Sequence, residues 1–225
     1  MEQQNNAELT ATKRPSLGNE MDMHIIICVG RQLGSGGHDI GRMLALDFGA
    51  KYYDRELMNL AAKESGLSEH FVEQHDEKKS FIRSFLHIHS GLNANYNRQG
   101  FSQDTFFMFQ SDAIRKAADE GSCVFVGRCA DYVLRDCNNV VSLFVTAPLN
   151  FRIEQVMAKQ KFRSEEQAKK YIEQGEARRA EYYNYYTGKK WGHSSGYDLC
   201  IDSSKLGLME TEKLIAEFIR KRFGL

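Results

Sequence analysis

The chain of 225 residues has no surplus of charge: Lys+Arg and Asp+Glu number 30 each. The overall balance therefore gives no argument for a nucleic acid or an anionic membrane as partner, and anion binding has to come from local placement. There is no apolar run near the ~18 residues that a membrane-spanning helix needs. The start, MEQQNNAELTATKRPSLGNEMDM, lacks the apolar core of a signal segment; residues 1–22 read as a flexible tail, with Met21 or Met23 as alternative starts. There is also no CxxC pair. The five cysteines (Cys28, Cys123, Cys129, Cys137 and Cys200) are scattered, and Cys28, Cys123 and Cys200 fall in apolar runs. An odd count in that pattern fits reduced, mostly buried thiols in a cytoplasmic protein rather than a disulfide framework. His70, His75, His87 and His89 read as exposed histidines of a polar helix or loop, not as a metal site. No internal repeat is visible.

What is present is an alternation of short apolar runs and amphipathic stretches. HIIICVG (24–30), KYYD (51–54), SCVFVG (122–127), VVSLFVT (140–146) and YDLCIDS (197–203) read as strands. Between them, 38–48, 55–64, 103–120 and 128–136 read as helices, a further helix opens near Pro148, and an apolar stripe of Leu214, Ile215, Phe218 and Ile219 marks the last one. Ser164 and Gln167 have the spacing of a capping box at the start of a long polar helix running to about Tyr186. Residues 65–102 differ: a charged helical stretch is followed by HSGLNANYNRQG, rich in Gly and Asn, which suggests a lobe inserted between strands. Strands alternating with helices mean a parallel sheet covered on both faces. Ligands of such sheets bind beyond the carboxyl ends of the strands.

The first strand runs into VGRQLGSGGHDIGR (29–42), a glycine loop that opens a helix. Backbone amides of Gly34, Ser35, Gly36, Gly37, His38 and Asp39 can form a nest for phosphate, and the helix N-terminus favours negative charge. The usual GxxxxGK[ST] pattern fails, because Gly37 stands where it has lysine, followed by His38 and Asp39. Arg31 or Arg42 would have to supply the missing charge, and Asp39 would take the Mg²⁺ role of the usual hydroxyl. The alternative is a tight strand–helix turn without a ligand.

Four segments in this order, GRQLGSGGHDIGRMLA (30–45), YYDRELM (52–58), CVFVGRCADYVL (123–134) and YDLCIDSSKLGLME (197–210), resemble the cytidylate kinase-like family of P-loop nucleoside monophosphate kinases. The resemblance implies a three-layer α/β/α P-loop kinase with a five-stranded parallel sheet, an inserted acceptor-binding lobe (65–102) and a helical lid (164–192), within a single domain over 23–225. It implies ATP as phosphoryl donor, Mg²⁺ as helper and CMP or dCMP as acceptor. Asp54 matches the family's aspartate after the second strand; its alternative role is a helix N-cap. Gly127-Arg128-Cys129 stands where the family has Gly-Arg-Asp, so Arg128 is expected at the acceptor, with Asp131 as the substitute carboxylate. Lid arginines of this fold close over the moving phosphoryl group, which points to Arg178 and Arg179 in EARRAEYYNYYTGKKWG (176–192). The alternative there is a solvated helix whose arginines pair with Glu176 and Glu181. Arg83, His87, His89 and Arg98 of the inserted lobe are further acceptor candidates. The rival readings are a nucleotide-binding regulatory or interaction module with little turnover, and a kinase of another small acceptor.

Overall fold

The computed structural model describes residues 24–54 and 103–225. The expected helix at 55–64, the inserted lobe at 65–102 with its candidates Arg83, His87, His89 and Arg98, and the tail at 1–22 lie outside the described residues.

Five strands form one parallel sheet in the order β2-β3-β1-β4-β5. They are β1 (Ile26–Arg31), β2 (Lys51–Tyr53), β3 (Cys123–Val126), β4 (Val140–Thr146) and β5 (Leu199–Asp202). The helices are α1 (Gly37–Asp47), α2 (Gln103–Glu120), the short α3 (Ala130–Val133), α4 (Leu149–Lys159), α5 (Glu165–Thr187) and α6 (Gly207–Phe223). β1 is central, with Ile26 opposite Cys123 of β3 on one side and Val140 of β4 on the other. The chain leaves β1 for the edge at β2, returns to β3, then passes over to β4 and β5. That reversal puts the crevice beside the carboxyl end of β1, where the glycine loop starts.

Side chains alternate across a strand, and here both faces are dry. Ile27 and Val29 of β1, with Val124, Val126, Leu143 and Val145, join Ile40 and Leu44 of α1 and Ile215 and Ile219 of α6. Ile26 and Cys28 face the other way, with Cys123 and Phe125, against Ile114 and Ala117 of α2 and Val133 of α3. This is why the strands read as continuous apolar runs rather than alternating ones. Each fully buried Ile, Leu or Phe among them contributes roughly 1.5–3 kcal/mol. A third cluster joins α4 to α5 through Val156, Ala168 and Ile172, with Leu33 of the loop packed against it. The Ser164 half of the capping box is present, with Ser164 Oγ accepting from Gln167 N, while Gln167 Oε1 accepts from Arg163 N at 3.1 Å, one residue before the cap.

One expectation is corrected. Cys28, Cys123 and Cys129 are buried, but Cys137 and Cys200 are exposed. Cys200 lies opposite Phe144 in edge strand β5, on the face turned away from α1 and α6. The cluster made by α2 and α3 does not extend that far. No helix among the described residues is long and apolar enough to cross a membrane.

The edge strand is tied to its neighbours by one carboxylate. Asp198 accepts from Ser142 N at 2.8 Å and Ser142 Oγ at 3.0 Å and pairs with Arg222 of α6 at 2.6 Å. Partial burial works against the charge, but the Ser142 donors and Arg222 outweigh it and hold the carboxyl below its usual pKa. The unfolded chain therefore binds the proton more readily, so this contribution is present above the unfolded pKa of ~3.9 and is lost as pH falls through the folded value. Asp198→Asn should lower stability by about 1 kcal/mol at pH 7, given the exposure of the pair. In urea titrations the gap from the parent protein should narrow as pH falls below the ordinary carboxylate value of ~3.9.

Candidate functional site

At the carboxyl ends of β1 and β3 the sheet opens into a cavity of about 320 Å³. Arg31, Arg128, Asp131, Arg178 and Arg179 all line it, so five of the residues singled out by sequence come together. Gly34 to Asp39 and Asp54 do not line it. The glycine loop and the cavity are adjacent compartments, with Arg31 between them.

Arg31 ends β1, and its carbonyl accepts from Arg179 Nη1 at 3.1 Å. Burial, then the charges of Arg179 and Arg128, push the Arg31 pKa down to about 9. The group still carries its charge at neutral pH, in surroundings that disfavour it. Arg128 follows β3 in an unusual turn: Gly127, Arg128 and Cys129 all have positive φ, at 82°, 65° and 57°. Two consecutive non-glycine residues in the left-handed region are strained, and strain of this kind collects at functional sites. The turn sets the Arg128 guanidinium 5.8 Å from the centre of the Tyr182 ring. Cys129 is buried, and burial pushes its thiol up to about 12, so it cannot replace the family's carboxylate there. Asp131 lines the cavity as expected, but its carboxylate also accepts the Tyr183 hydroxyl at 2.7 Å, and burial raises its pKa.

Helix α5 supplies the far wall. It is tied across the site by Tyr183 to Asp131, by Tyr182 to Gln110 of α2 at 3.0 Å and by Tyr186 to Asp104 at 3.2 Å. Phe107 stacks on Tyr186 with ring centres 4.0 Å apart. Its arginines are not simply a solvated face: Arg178 is exposed at the rim and Arg179 is half-buried against β1. Glu176 does not pair with them. It binds Arg152 Nη1 at 2.6 Å and accepts from Leu33 N at 3.3 Å.

The glycine loop is held by neighbours. Gly36, left-handed at φ 77°, caps α1, and the amides of Gly37, His38 and Asp39 come next, without partners inside the helix. Ser35 is buried, and its hydroxyl reaches the carbonyls of Gln32 and Val145 at 3.0 Å each, while Ser203 Oγ donates to Ser35 O at 2.6 Å. The Ser35 side chain is thus a brace, and only its main chain faces the loop's business. Asp39 is bound by Lys159 of α4, which corrects the expectation that it stands ready for Mg²⁺. Asp54 instead pairs with an imidazole, His38 Nε2 at 3.2 Å. Among the described residues no group of three or more His, Cys, Asp or Glu is placed to hold a metal. Mg²⁺ commonly needs only one or two carboxylates beside substrate phosphates; Asp39 and Asp54 are both carboxylates near the start of α1, each already paired, with Lys159 and His38 respectively. Arg42, the other candidate for the missing charge, lies over the Tyr52 ring at 5.4 Å.

Sequence reasoning missed Arg152. It is 6% exposed, donates to Ala147 O at 2.8 Å and reaches Leu33 O at 3.4 Å in addition to Glu176. The signal was available: Arg152 falls in the apolar stripe of α4 between Leu149 and Val156, where a cation needs a buried partner.

The profile of the cytidylate kinase-like family matches residues 26–205. The chain belongs to that family. Among solved structures, an uncharacterized protein from Eubacterium ventriosum is similar at 27% identity and a TM-score of 0.67, covering 87% of this chain and 98% of that one. A gluconokinase from Sinorhizobium meliloti shares the fold at 10% identity and a TM-score of 0.50, covering 88% and 93%. No curated protein sequence matches. Family and fold together support a phosphotransferase of the nucleotide-kinase type.

Arg152→Met should destabilise the protein by about 3 kcal/mol, because it leaves the Glu176 carboxylate without its cation beneath the loop. Glu176→Gln should cost less. Guanidinium chloride titration of both variants checks the order.

Proposed function

We propose that the protein is a nucleoside monophosphate kinase that transfers the γ-phosphoryl group of ATP to CMP or dCMP. The observation that carries this reading is the grouping of Arg31, Arg128, Arg178 and Arg179 around one cavity beside a glycine loop. Among the described residues, four guanidinium groups with a single carboxylate, itself engaged by Tyr183, suit an acceptor that brings negative charge of its own. They favour a phosphate over a neutral hydroxyl as acceptor.

In this reading the ATP phosphates rest on the amides of Gly34, Ser35, Gly36, Gly37, His38 and Asp39 at the start of α1. An oxygen of the acceptor phosphate attacks the γ-phosphorus. A new P–O bond forms, the bond to the β-phosphate oxygen breaks, and ADP leaves with that electron pair. The acceptor phosphate is already a nucleophile, so no strong base is required. Arg178 and Arg179 of the lid helix neutralise the charge that spreads over the moving group, and Arg128 with Asp131 orients the acceptor. Mg²⁺ bound with the ATP phosphates would screen their charge, and Asp54 is the carboxylate that would hold it.

Absence of the loop lysine and capture of Asp39 by Lys159 favour the second reading, a nucleotide-binding module with little turnover. A panel of nucleoside monophosphates with ATP and Mg²⁺, read as ADP release, separates the two. The kinase reading expects CMP and dCMP to lead the panel and a fall of roughly 10²-fold or more in kcat for Arg178→Ala and for Asp54→Asn. Equally negligible rates with every acceptor, alongside intact ATP binding, would leave the module.

A further inference from the structure

The lysine position of the loop is closed. A side chain at Gly37 would place its Cβ 2.5 Å from Cβ of Arg31 and 3.2 Å from Cβ of Val145. Neither is the loose end of a flexible side chain, so no residue larger than glycine enters without moving the strand. The Arg31 stem thus occupies the space where a lysine would begin. Its head goes elsewhere. A Cβ on Gly127, beyond β3, would overlap Arg31 Nη1. The guanidinium therefore lies across the end of β3, in the cavity with Arg128 and Arg179, and not over the amides of the glycine loop.

Resting on the kinase reading above, we infer that Arg31 is an acceptor-phosphate ligand rather than a stand-in for the donor-side lysine, with Gly37 leaving room for its stem and Gly127, which its φ of 82° already requires to be glycine, leaving room for its head. The placement has an electrostatic rationale. The Arg31 guanidinium lies in a cavity shared with Arg128 and Arg179, and burial, then the charges of Arg179 and Arg128, lower its pKa. A dianionic phosphate relieves all three at once, whereas an uncharged sugar or nucleoside relieves none. Arg31 is then a specificity determinant: it selects phosphorylated acceptors and contributes little to holding ATP.

Isothermal titration of the full chain with CMP, cytidine, inorganic phosphate and ATP–Mg²⁺ tests this. Arg31→Met keeps the stem and removes the charge. It should weaken CMP and inorganic phosphate by roughly tenfold or more, with ATP–Mg²⁺ changed less than about twofold. Gly127→Ala should show the same split, which a general loss of structure would not produce. Should Gly127→Ala fail to fold, Gly37→Lys gives the second arm: alone it should lower Tm, and Arg31→Gly in the same chain should restore Tm without restoring CMP affinity. Unchanged CMP and phosphate affinity in Arg31→Met, or equal losses for ATP and CMP, overturns the inference while leaving the kinase reading standing. Selective loss of phosphate binding in a protein that shows no turnover overturns the kinase reading and, with it, the acceptor role, leaving Arg31 a ligand of bound phosphate only. A parent protein that binds neither CMP nor phosphate overturns both.

Discussion

Burial of the Arg31 guanidinium beside those of Arg179 and Arg128 is the constraint around which this end of the molecule is organised. Burial, and after it the charges of Arg179 and Arg128, lower the affinity of Arg31 for a proton. Such a cluster persists only if the frame around it is stiff. The frame is made of hydrogen bonds and packing on every side: Tyr182 and Tyr186 to α2, Tyr183 to Asp131, and the Arg179 head to the Arg31 carbonyl. The dry core beneath fixes the strand ends from which Arg31 and Arg128 project. In the proposed reading an acceptor phosphate supplies the negative charge that this cavity is built to meet.

A second device keeps the glycine loop in shape. Arg152 reaches under it from α4 to Ala147, Leu33 and Glu176, while Ser35 and Ser203 fasten it to β4 and to the end of β5. The loop is thus braced by the protein's own side chains. Its amides stay directed by the start of α1, and the cation usually found among them has no room at Gly37. In the proposed reading, donor and acceptor sides are divided differently from the common lysine-bearing loop: amides on one side, guanidinium groups on the other.

Much of this was legible in the sequence, and the reasons are physical. VVSLFVT and the 103–120 helix were placed at their observed bounds because a doubly covered strand and a long amphipathic helix leave strong periodic signals. The Ser164 cap followed from a four-residue pattern. Arg31, Arg128, Asp131, Arg178 and Arg179 were gathered by their positions after strands and by family resemblance. What the sequence hid depends on long-range pairing. Glu176 looked like a partner for its helical neighbours, yet it binds a cation 24 residues away, and Asp39 is taken by Lys159, 120 residues on. Cys200 looked buried because an edge strand can be as apolar as a central one while its outer face stays open. The seat of Arg31 could not be read at all without coordinates, since Gly37 and Gly127 lie far apart in the chain.

The most direct measurement is a crystal structure of the protein with ADP, Mg²⁺ and CMP. The account predicts the CMP phosphate among Arg31, Arg128 and Arg179, and the ADP phosphates on the amides that open α1. A monophosphate bound away from those three side chains, or a guanidinium cavity left without an anion while nucleotide occupies the loop, would contradict it.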